Sequence, residues 1–209
     1  MASLDGTVSR YLNRRISDPA AKLLARTPAT PNQVSVAALI IAAASMPLLA
    51  IGRNIEGAIL IQLSSIVDGI DGDLARAKSM ASRFGGLFDS VLDRYADALI
   101  VGGMAWYAYE REDWAQPLLV GFVAIVGCLL VTYSRARLET EAGTEATGEL
   151  LGIATRDVRL LALALGALAG EAYWTLIVVS AACYLTVCWR LWSFWRRSSD
   201  GGVFGRNTA

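Results

Sequence analysis

Residues 68–93 read DGIDGDLARAKSMASRFGGLFDSVLD and place five aspartates and three basic residues in 26 positions. Apolar stretches with the length and composition of membrane-spanning helices flank this segment on both sides. A central aspartate costs about 2.5 to 3.5 kcal/mol in such a helix, whereas a leucine contributes only about 0.3 to 0.6 kcal/mol. These aspartates therefore cannot face lipid. They must face one another, a cation or a water-filled cavity, which indicates a functional site.

The spacing of the polar residues predicts two helix faces that meet. In the helix predicted to follow residue 83, Gly85, Asp89 and Asp93 stand at i, i+4 and i+8, and Asp97 extends the same stripe. A short turn over residues 78–83 folds the two faces toward each other, so four carboxylates are expected to converge. The helix predicted to end near residue 78 has the other face. That face consists of residues at i, i+3, i+4, i+7 and i+8, namely Asp68, Asp71, Gly72, Ala75 and Arg76.

Four like charges share a cavity only when something neutralises them. All-oxygen ligands favour hard divalent cations such as Mg²⁺, Mn²⁺ or Ca²⁺, and four carboxylates suit two metals better than one. Paired metals are typical of phosphoryl chemistry. Gly72 and Gly85 allow a ligand close to the backbone, and Arg76 offers a fork for phosphate. Asp73 lies off the main face, so we expect a structural role for it.

The composition excludes several classes of chemistry. The 209 residues are 55% hydrophobic with a mean hydropathy of +0.44, and the net charge of zero argues against nucleic-acid binding. The chain has no histidine, which removes histidine-based nucleophile activation, metal binding and pH switching. The cysteines, Cys128, Cys183 and Cys188, all lie in apolar stretches without a C-x-x-C motif, so we expect inert packing.

The hydropathy pattern predicts an all-α integral membrane protein with six transmembrane helices and an N-terminal amphipathic interfacial helix. The arm covers residues 1–29, the six-span domain 30–197 and a flexible tail 198–209. The arm alternates Val8, Tyr11, Leu12 and Ile16 with Arg10, Arg14 and Arg15. Thr30 and Pro31 are predicted to start the first span. The spans are expected at 31–51, 55–78, 83–109, 113–138, 155–170 and 172–195.

The distribution of basic residues predicts the orientation in the membrane. Of the 19 lysines and arginines, only Arg53 and Arg111 fall on one side of the six predicted spans. The positive-inside rule makes the other side cytoplasmic. Both termini and the aspartate cluster are therefore expected on the cytoplasmic side of the cell membrane.

The polar positions of both helices together resemble the complete CDP-alcohol phosphotransferase signature. The signature reads D-x-x-D-G-x-x-A-R over residues 68–76 and, after eight residues, G-x-x-x-D-x-x-x-D over 85–93, with no departure. The resemblance implies that an acceptor hydroxyl attacks a CDP-linked donor, a phosphodiester forms and CMP leaves. It also implies a homodimer, which the small-residue faces of the spans, such as Gly166 and Gly170, favour weakly.

The resemblance also implies roles for the signature residues. Two divalent cations, Mg²⁺ or Mn²⁺, would be held by Asp68, Asp71, Asp89 and Asp93. Asp93 would in addition be the catalytic base that takes the proton of the acceptor hydroxyl. The CDP-binding set would comprise Asp68, Gly72, Ala75, Arg76 and Gly85.

A second basic group follows the signature. YSRAR ends the fourth predicted span with Arg135 and Arg137, and TRDVR opens the fifth with Arg156 and Arg159. One interpretation is cytoplasmic positive-inside charge. The other is a pocket for a phosphate on the acceptor, since Arg156 and Arg159 share a face near a helix N-terminus.

With such a phosphate pocket, the chain resembles the branch of the family that uses inositol phosphate acceptors, such as phosphatidylinositol phosphate synthases. The donor of those enzymes is CDP-diacylglycerol. The segments SRYLNRRIS (9–17) and ATRDVRL (154–160) also resemble the membrane half of di-myo-inositol phosphate phosphate synthases. Their donor is CDP-inositol, and their cytidylyltransferase partner domain is not part of this sequence. The donor stays open between the two. Acceptors such as glycerol phosphate or serine are an alternative, and a divalent-cation transporter or a structural membrane protein are rivals from other classes.

Overall fold

The computed structural model describes residues 14–142 and 154–199, and within them the chain forms seven α-helices. Helices α2 to α7 match the six predicted spans, and every predicted boundary falls within four residues of a helix end. The all-helical class is therefore confirmed for the described residues. The helices are α1 (Arg14–Leu24), α2 (Pro31–Ala50), α3 (Asn54–Ala77), α4 (Arg83–Arg111), α5 (Pro117–Ala142), α6 (Arg156–Ala169) and α7 (Ala172–Ser199).

Three of these helices, namely α2, α5 and α7, are long and apolar enough to cross a membrane. Helices α3 and α4 are long, but they carry the acidic segment 68–93. Helix α6 has 14 residues, which corresponds to about 21 Å against a hydrocarbon core of about 30 Å. The three long apolar helices thus indicate a membrane protein, and the count of six spans stays a prediction.

The start of α2 follows from its local sequence, as predicted. The Thr30 side chain accepts a hydrogen bond from the Gln33 amide at 3.4 Å, and the Gln33 side chain accepts one from the Thr30 amide at 3.0 Å. Pro31 occupies the first helical position, where its missing N–H is not needed. This capping box fixes the entry to the bundle.

Connections of two to five residues join α2 to α3, α3 to α4, α4 to α5 and α6 to α7, so these neighbours run antiparallel. Helix α2 packs on α3 and α4, α6 lies on α3 and α7, and α5 contacts α4 and α7. The core between them is apolar and fully buried at Ile61, Ile100, Met104 and Leu163. The aspartate segment therefore lies at the end of the bundle where α3 ends and α4 and α6 begin.

The cysteines lie in helices α5 and α7. Cys128 and Cys183 belong to the buried core, which agrees with a packing role, whereas Cys188 is exposed.

Helix α1 packs on α3 near the aspartate segment. Ala21 of α1 forms a small buried cluster with Val34, Ile70 and Leu74. Lys78 Nζ donates to the carbonyl oxygens of Thr27 and Ala29 at 2.6 and 2.7 Å, and ties the α1–α2 connection to the end of α3.

Much of the predicted amphipathic arm lies outside the described residues. Of its pattern, Val8, Arg10, Tyr11 and Leu12 fall in residues 1–13. Within the predicted tail 198–209, α7 continues to Ser199, and residues 200–209 are likewise outside the described part.

The glycine pair of α6 is used inside the chain. A Cβ on Gly166 would lie 1.9 Å from Thr175 Oγ1 of α7, and one on Gly170 would lie 3.4 Å from the Tyr107 hydroxyl. Gly170 also ends the helix with φ 74°, where glycine is favoured. This pair therefore packs α6 within the bundle and gives no support for a dimer.

Replacing Gly166 by alanine is expected to lower thermal stability, because the added Cβ overlaps Thr175 and overpacking costs about 1 to 3 kcal/mol. Gly102→Ala in α4 is the matched control, since nothing lies within 4 Å of its added Cβ. Thermal unfolding in detergent measures both. A Gly166→Ala protein as stable as Gly102→Ala would contradict the close α6–α7 contact.

Candidate active site

The folded chain gathers three of the four predicted metal-binding carboxylates. Carboxylate oxygens of Asp68, Asp71 and Asp89 all lie within 4.8 Å of one another, across the facing surfaces of α3 and α4. Ser35 of α2 donates a hydrogen bond to Asp71 Oδ2 and fixes that side chain. Asp93 stands one turn beyond Asp89 and pairs with arginines instead. Three of the four carboxylates thus lie close together, and Asp93 lies at the edge of this group.

The acidic cluster fits a hard divalent cation. All its donor atoms are oxygens, which Mg²⁺ and Mn²⁺ prefer. Asp89 Oδ1 is buried and has no hydrogen-bond partner among the described residues, a costly arrangement for a carboxylate oxygen. Arg94 and Arg156 pair with carboxylates at the edge of the cluster, whereas no arginine forms an ion pair with Asp71 or Asp89 among the described residues.

A cavity of about 200 Å³ opens on one side of the cluster, between α2, α3 and the start of α4. Asp71 and Asp89 form its floor. Gly72 and Gly85 among its lining residues carry no side chain that would occupy the cavity, and a Cβ on Gly85 would also crowd Ser82 Oγ at 3.1 Å. Four residues of the predicted CDP-binding set line this cavity: Gly72, Ala75, Arg76 and Gly85.

Arg76 at this cavity is held by Asp73. Its Nη2 donates to Asp73 Oδ1 at 2.5 Å, and the Ser17 hydroxyl of α1 donates to Asp73 Oδ2 at 3.4 Å. Asp73 lies outside the close group of three carboxylates. The structural role expected for Asp73 agrees with these contacts.

A larger cavity of about 380 Å³ opens on the other side of the cluster, between α4, α5, α6 and α7. Asp89 lines both cavities, and Asp93 lines this one. Its wall is strongly basic and includes three of the four predicted acceptor residues. The arginines of the wall are Arg94, Arg135, Arg156, Arg159 and Arg190.

Arg156 connects this basic wall to the acidic cluster. Its Nη1 lies 2.5 Å from Asp68 Oδ2 and 3.0 Å from Asp93 Oδ1, and its Nε lies 3.3 Å from Asp97 Oδ1. Arg159 Nη2 donates to Asp97 Oδ2 at 2.7 Å. A ligand bound by Arg156 would therefore lie next to the carboxylates.

Arg137 does not line the cavity. It is two residues from Arg135 on α5, which turns its side chain about 200° away, and its guanidinium pairs with Glu141 at 2.7 Å. Arg135 instead pairs with Glu139 at 2.9 Å, and both line the cavity. The structure thus brings together Arg135, Arg156 and Arg159 but leaves Arg137 on the surface.

Sequence reasoning missed three residues of the site. Ser35 and Arg94 lie in α2 and α4, where nothing in the local pattern distinguishes them. Arg190 is 3% exposed in α7 and donates to the Val131 carbonyl oxygen at 2.6 Å. A charged residue inside an apolar helix was the available signal for Arg190, and positive-inside charge alone does not explain its burial.

Comparison with known families gives one match. A family model described as CDP-alcohol phosphatidyltransferase matches residues 28–195. The matched segment contains both cavities and the acidic cluster.

Two curated relatives illustrate the similarity. A bifunctional IPC transferase and DIPP synthase from Rubrobacter xylanophilus is 48% identical over 169 residues, which are 79% of this chain and 37% of that protein. An archaetidylinositol phosphate synthase from Methanothermobacter thermautotrophicus is 34% identical over 194 residues, 90% of this chain and 93% of that protein. The chain spans only 30% to 46% of the length of three such bifunctional relatives.

A solved structure has a similar fold. The crystal structure of Mycobacterium tuberculosis phosphatidylinositol phosphate synthase with CDP-DAG bound aligns with a TM-score of 0.72 and 25% identity. The alignment covers 87% of this chain and 94% of that one. The helical arrangement is therefore shared over almost the whole described structure.

Proposed function

Because the chain belongs to the CDP-alcohol phosphatidyltransferase family, we propose that it transfers a phosphoryl-linked group from a CDP-linked donor to a hydroxyl of an inositol phosphate. A phosphodiester forms and CMP is released. Both kinds of named relative, the archaetidylinositol phosphate synthase and the DIPP synthase, support an inositol-containing product.

The observation that carries this proposal is the pair of cavities that meet at Asp89. The smaller cavity, with Gly72, Arg76 and Gly85, is assigned to the CDP moiety. The larger cavity, with its arginine wall, is assigned to the phosphorylated acceptor. A donor diphosphate and an acceptor hydroxyl bound in these cavities would meet over the carboxylates, as in-line transfer requires.

Asp93 is proposed as the catalytic base. It lines the acceptor cavity, and its two oxygens face Arg156 Nη1 at 3.0 Å and Arg94 Nη2 at 3.5 Å. The acceptor oxygen bonds to the phosphorus that carries the donor alcohol, and the bond from that phosphorus to the CMP oxygen breaks. Asp93 takes the proton of the acceptor hydroxyl as the new bond forms.

Asp68, Asp71, Asp89 and Asp93 are proposed to hold two divalent cations, Mg²⁺ or Mn²⁺. When bound, the cations supply charge stabilisation at the donor diphosphate and the leaving CMP. The close approach of Asp68, Asp71 and Asp89 favours a bound cation, and the donor diphosphate brings further negative charge for a second one.

The acceptor phosphate is proposed to bind Arg135, Arg156 and Arg159, with Arg94 and Arg190 completing the wall. Guanidinium groups match phosphate oxygens in geometry and remain charged. The wall of the larger cavity holds these five arginines against only three carboxylates, Asp89, Asp93 and Glu139, so positive charge is in excess there. This charge pattern favours a phosphorylated acceptor over a neutral alcohol.

Replacing Arg135 by alanine is expected to raise the acceptor KM about tenfold or more, because a charged hydrogen bond is worth about 1.5 to 3 kcal/mol. The donor KM should stay unchanged. Arg137→Ala is the matched control, since it lies on the same helix and also pairs with a glutamate four residues on, but outside the cavity. Equal acceptor KM values for both variants would favour the positive-inside interpretation.

The proposed orientation places the site and both termini on the cytoplasmic side of the cell membrane, with α2 to α7 all spanning it. Aromatic residues at the opposite end of the bundle support a position of that end at the membrane–water interface. Trp114 stacks on Tyr173 with 5.7 Å between the ring centroids, and it contacts Trp174 edge-on with 5.2 Å between the centroids. Such aromatic groups are typical of the belts at membrane interfaces. The Glu112 carboxylate caps α7 at that end, accepting from the Ala172 amide at 2.7 Å.

The test is CMP release by the purified protein with Mg²⁺ and inositol phosphate, with CDP-diacylglycerol and CDP-inositol offered in parallel. Release with the lipid donor identifies a phospholipid synthase, and release with CDP-inositol alone identifies a synthase of a soluble inositol phosphodiester. Glycerol phosphate and serine are the acceptor controls. No release with either donor would contradict an inositol phosphate acceptor, and release with glycerol phosphate or serine instead would identify the acceptor. A homodimer, predicted from the family resemblance, is checked by the mass of the purified complex.

A further inference from the structure

Asp97 is a buried carboxylate that belongs to neither the signature nor the cavity walls. It lies on α4 one turn beyond Asp93 and is 4% exposed. Arg159 Nη2 donates to Asp97 Oδ2 at 2.7 Å, Arg156 Nε to Asp97 Oδ1 at 3.3 Å, and Arg94 Nη2 lies 3.8 Å from Oδ2. One carboxylate thus contacts three of the five arginines of the larger cavity.

Asp97 fixes the position of Arg159. Arg159 is 4% exposed, and its guanidinium is held between Asp97 and the Ala154 carbonyl oxygen, to which Nη1 donates at 2.8 Å. Arg156 and Arg159 line the larger cavity, whereas Asp97 lies behind them. The carboxylate therefore supports the arginines from the side away from the ligand.

The contacts of Arg156 divide into two kinds. Asp68 and Asp93, which contact its Nη1, belong to the proposed cation-binding set. Asp97, which contacts its Nε, does not. Asp97 is therefore the carboxylate that keeps Arg156 at the cavity whatever Asp68 and Asp93 bind. Because Asp97 contacts Nε, and Asp68 and Asp93 contact Nη1, the other terminal nitrogen, Nη2, is left for a ligand.

We propose that Asp97 is a positioning residue that holds Arg156 and Arg159 together as one phosphate-binding platform, and that it thereby sets the affinity for the phosphorylated acceptor. This inference rests on the proposed function. Asp97 touches neither cavity, so its effect is exerted through the two arginines.

The experiment compares Asp97→Asn with the unmodified protein in steady-state CMP release. Asparagine keeps the shape of the side chain but removes the charge that orients the two guanidinium groups. The expected result is an acceptor KM raised about tenfold or more, with the donor KM changed less than about twofold. Inorganic phosphate, used as a competitive inhibitor against the acceptor, should lose potency by a similar factor.

A second variant covers the case in which Asp97→Asn does not fold, since an unpaired buried Arg159 is costly. Asp97→Glu keeps the charge but moves the carboxylate by one methylene group, and it should also raise the acceptor KM while the donor KM stays constant. Mn²⁺ binding measured by electron paramagnetic resonance should match that of the unmodified protein in each folded variant.

Two results would overturn the role of Asp97. One is an acceptor KM equal to that of the unmodified protein in every folded variant. The other is a parallel loss of donor and acceptor binding, as expected for a merely structural ion pair. Both differ from failure of the proposed function, in which the unmodified protein itself releases no CMP with inositol phosphate.

Discussion

Asparagine at position 93 is expected to lower kcat by about 10²- to 10⁴-fold, the usual contribution of a general base. Asp93→Asn keeps the size of the side chain and one oxygen that accepts from Arg94 or Arg156, but an amide cannot take up the proton of the acceptor hydroxyl. The larger cavity loses no volume, so acceptor binding should persist. The effect should therefore appear in kcat far more than in either KM.

The measurement is CMP release under saturating donor and acceptor, together with binding of the CDP donor to the variant. Asp113→Asn is the control, since Asp113 is an exposed acid at the opposite end of the bundle. Near-normal CMP release by Asp93→Asn would remove Asp93 from the chemistry. Loss of donor binding as well would show that Asp93 acts mainly as a ligand of the cations at the donor diphosphate, or in folding.

Asparagine at position 89 is expected to lower the affinity for Mn²⁺ by about 10²-fold or more, since even residues that only orient a ligand cost 10- to 100-fold. Asp89 Oδ1 is the buried oxygen that has no hydrogen-bond partner among the described residues, and Asp89 is the residue that lines both cavities. Its loss should therefore remove cation binding and CMP release together.

Mn²⁺ titration followed by electron paramagnetic resonance measures the affinity independently of turnover. Asp113→Asn again serves as the control and should bind Mn²⁺ as the unmodified protein does. Thorough chelation of the unmodified protein should abolish CMP release, and added Mg²⁺ should restore it. Full activity after chelation would exclude cation-assisted transfer in this chain.

The sequence predicted the helices and the acidic cluster well because both depend on local periodicity. Apolar runs of 20 residues or more define α2, α5 and α7, and the cap at Thr30 marks where α2 starts. Asp68 and Asp71 share a face by their i, i+3 spacing, and the short turn after Lys78 brings Asp89 opposite them.

The parts that the sequence did not predict depend on packing between distant helices. Asp97 contacts Arg159 across 62 positions of the chain, and Arg190 contacts Val131 across 59. Ser35 reaches Asp71 from a helix with no polar pattern of its own. Arg137 was grouped with Arg135 because charge was counted by segment, whereas the rotation of α5 separates the two side chains.

The most direct test of the central claim compares inositol phosphate with free inositol as the acceptor, at equal concentration, with Mg²⁺ and the CDP donor that supports turnover. A phosphate held by several charged hydrogen bonds should give CMP release faster by roughly 10²-fold or more with inositol phosphate. Equal rates with the two acceptors would contradict the phosphate-binding role of the arginine wall, and no CMP release with either would contradict the proposed transfer itself.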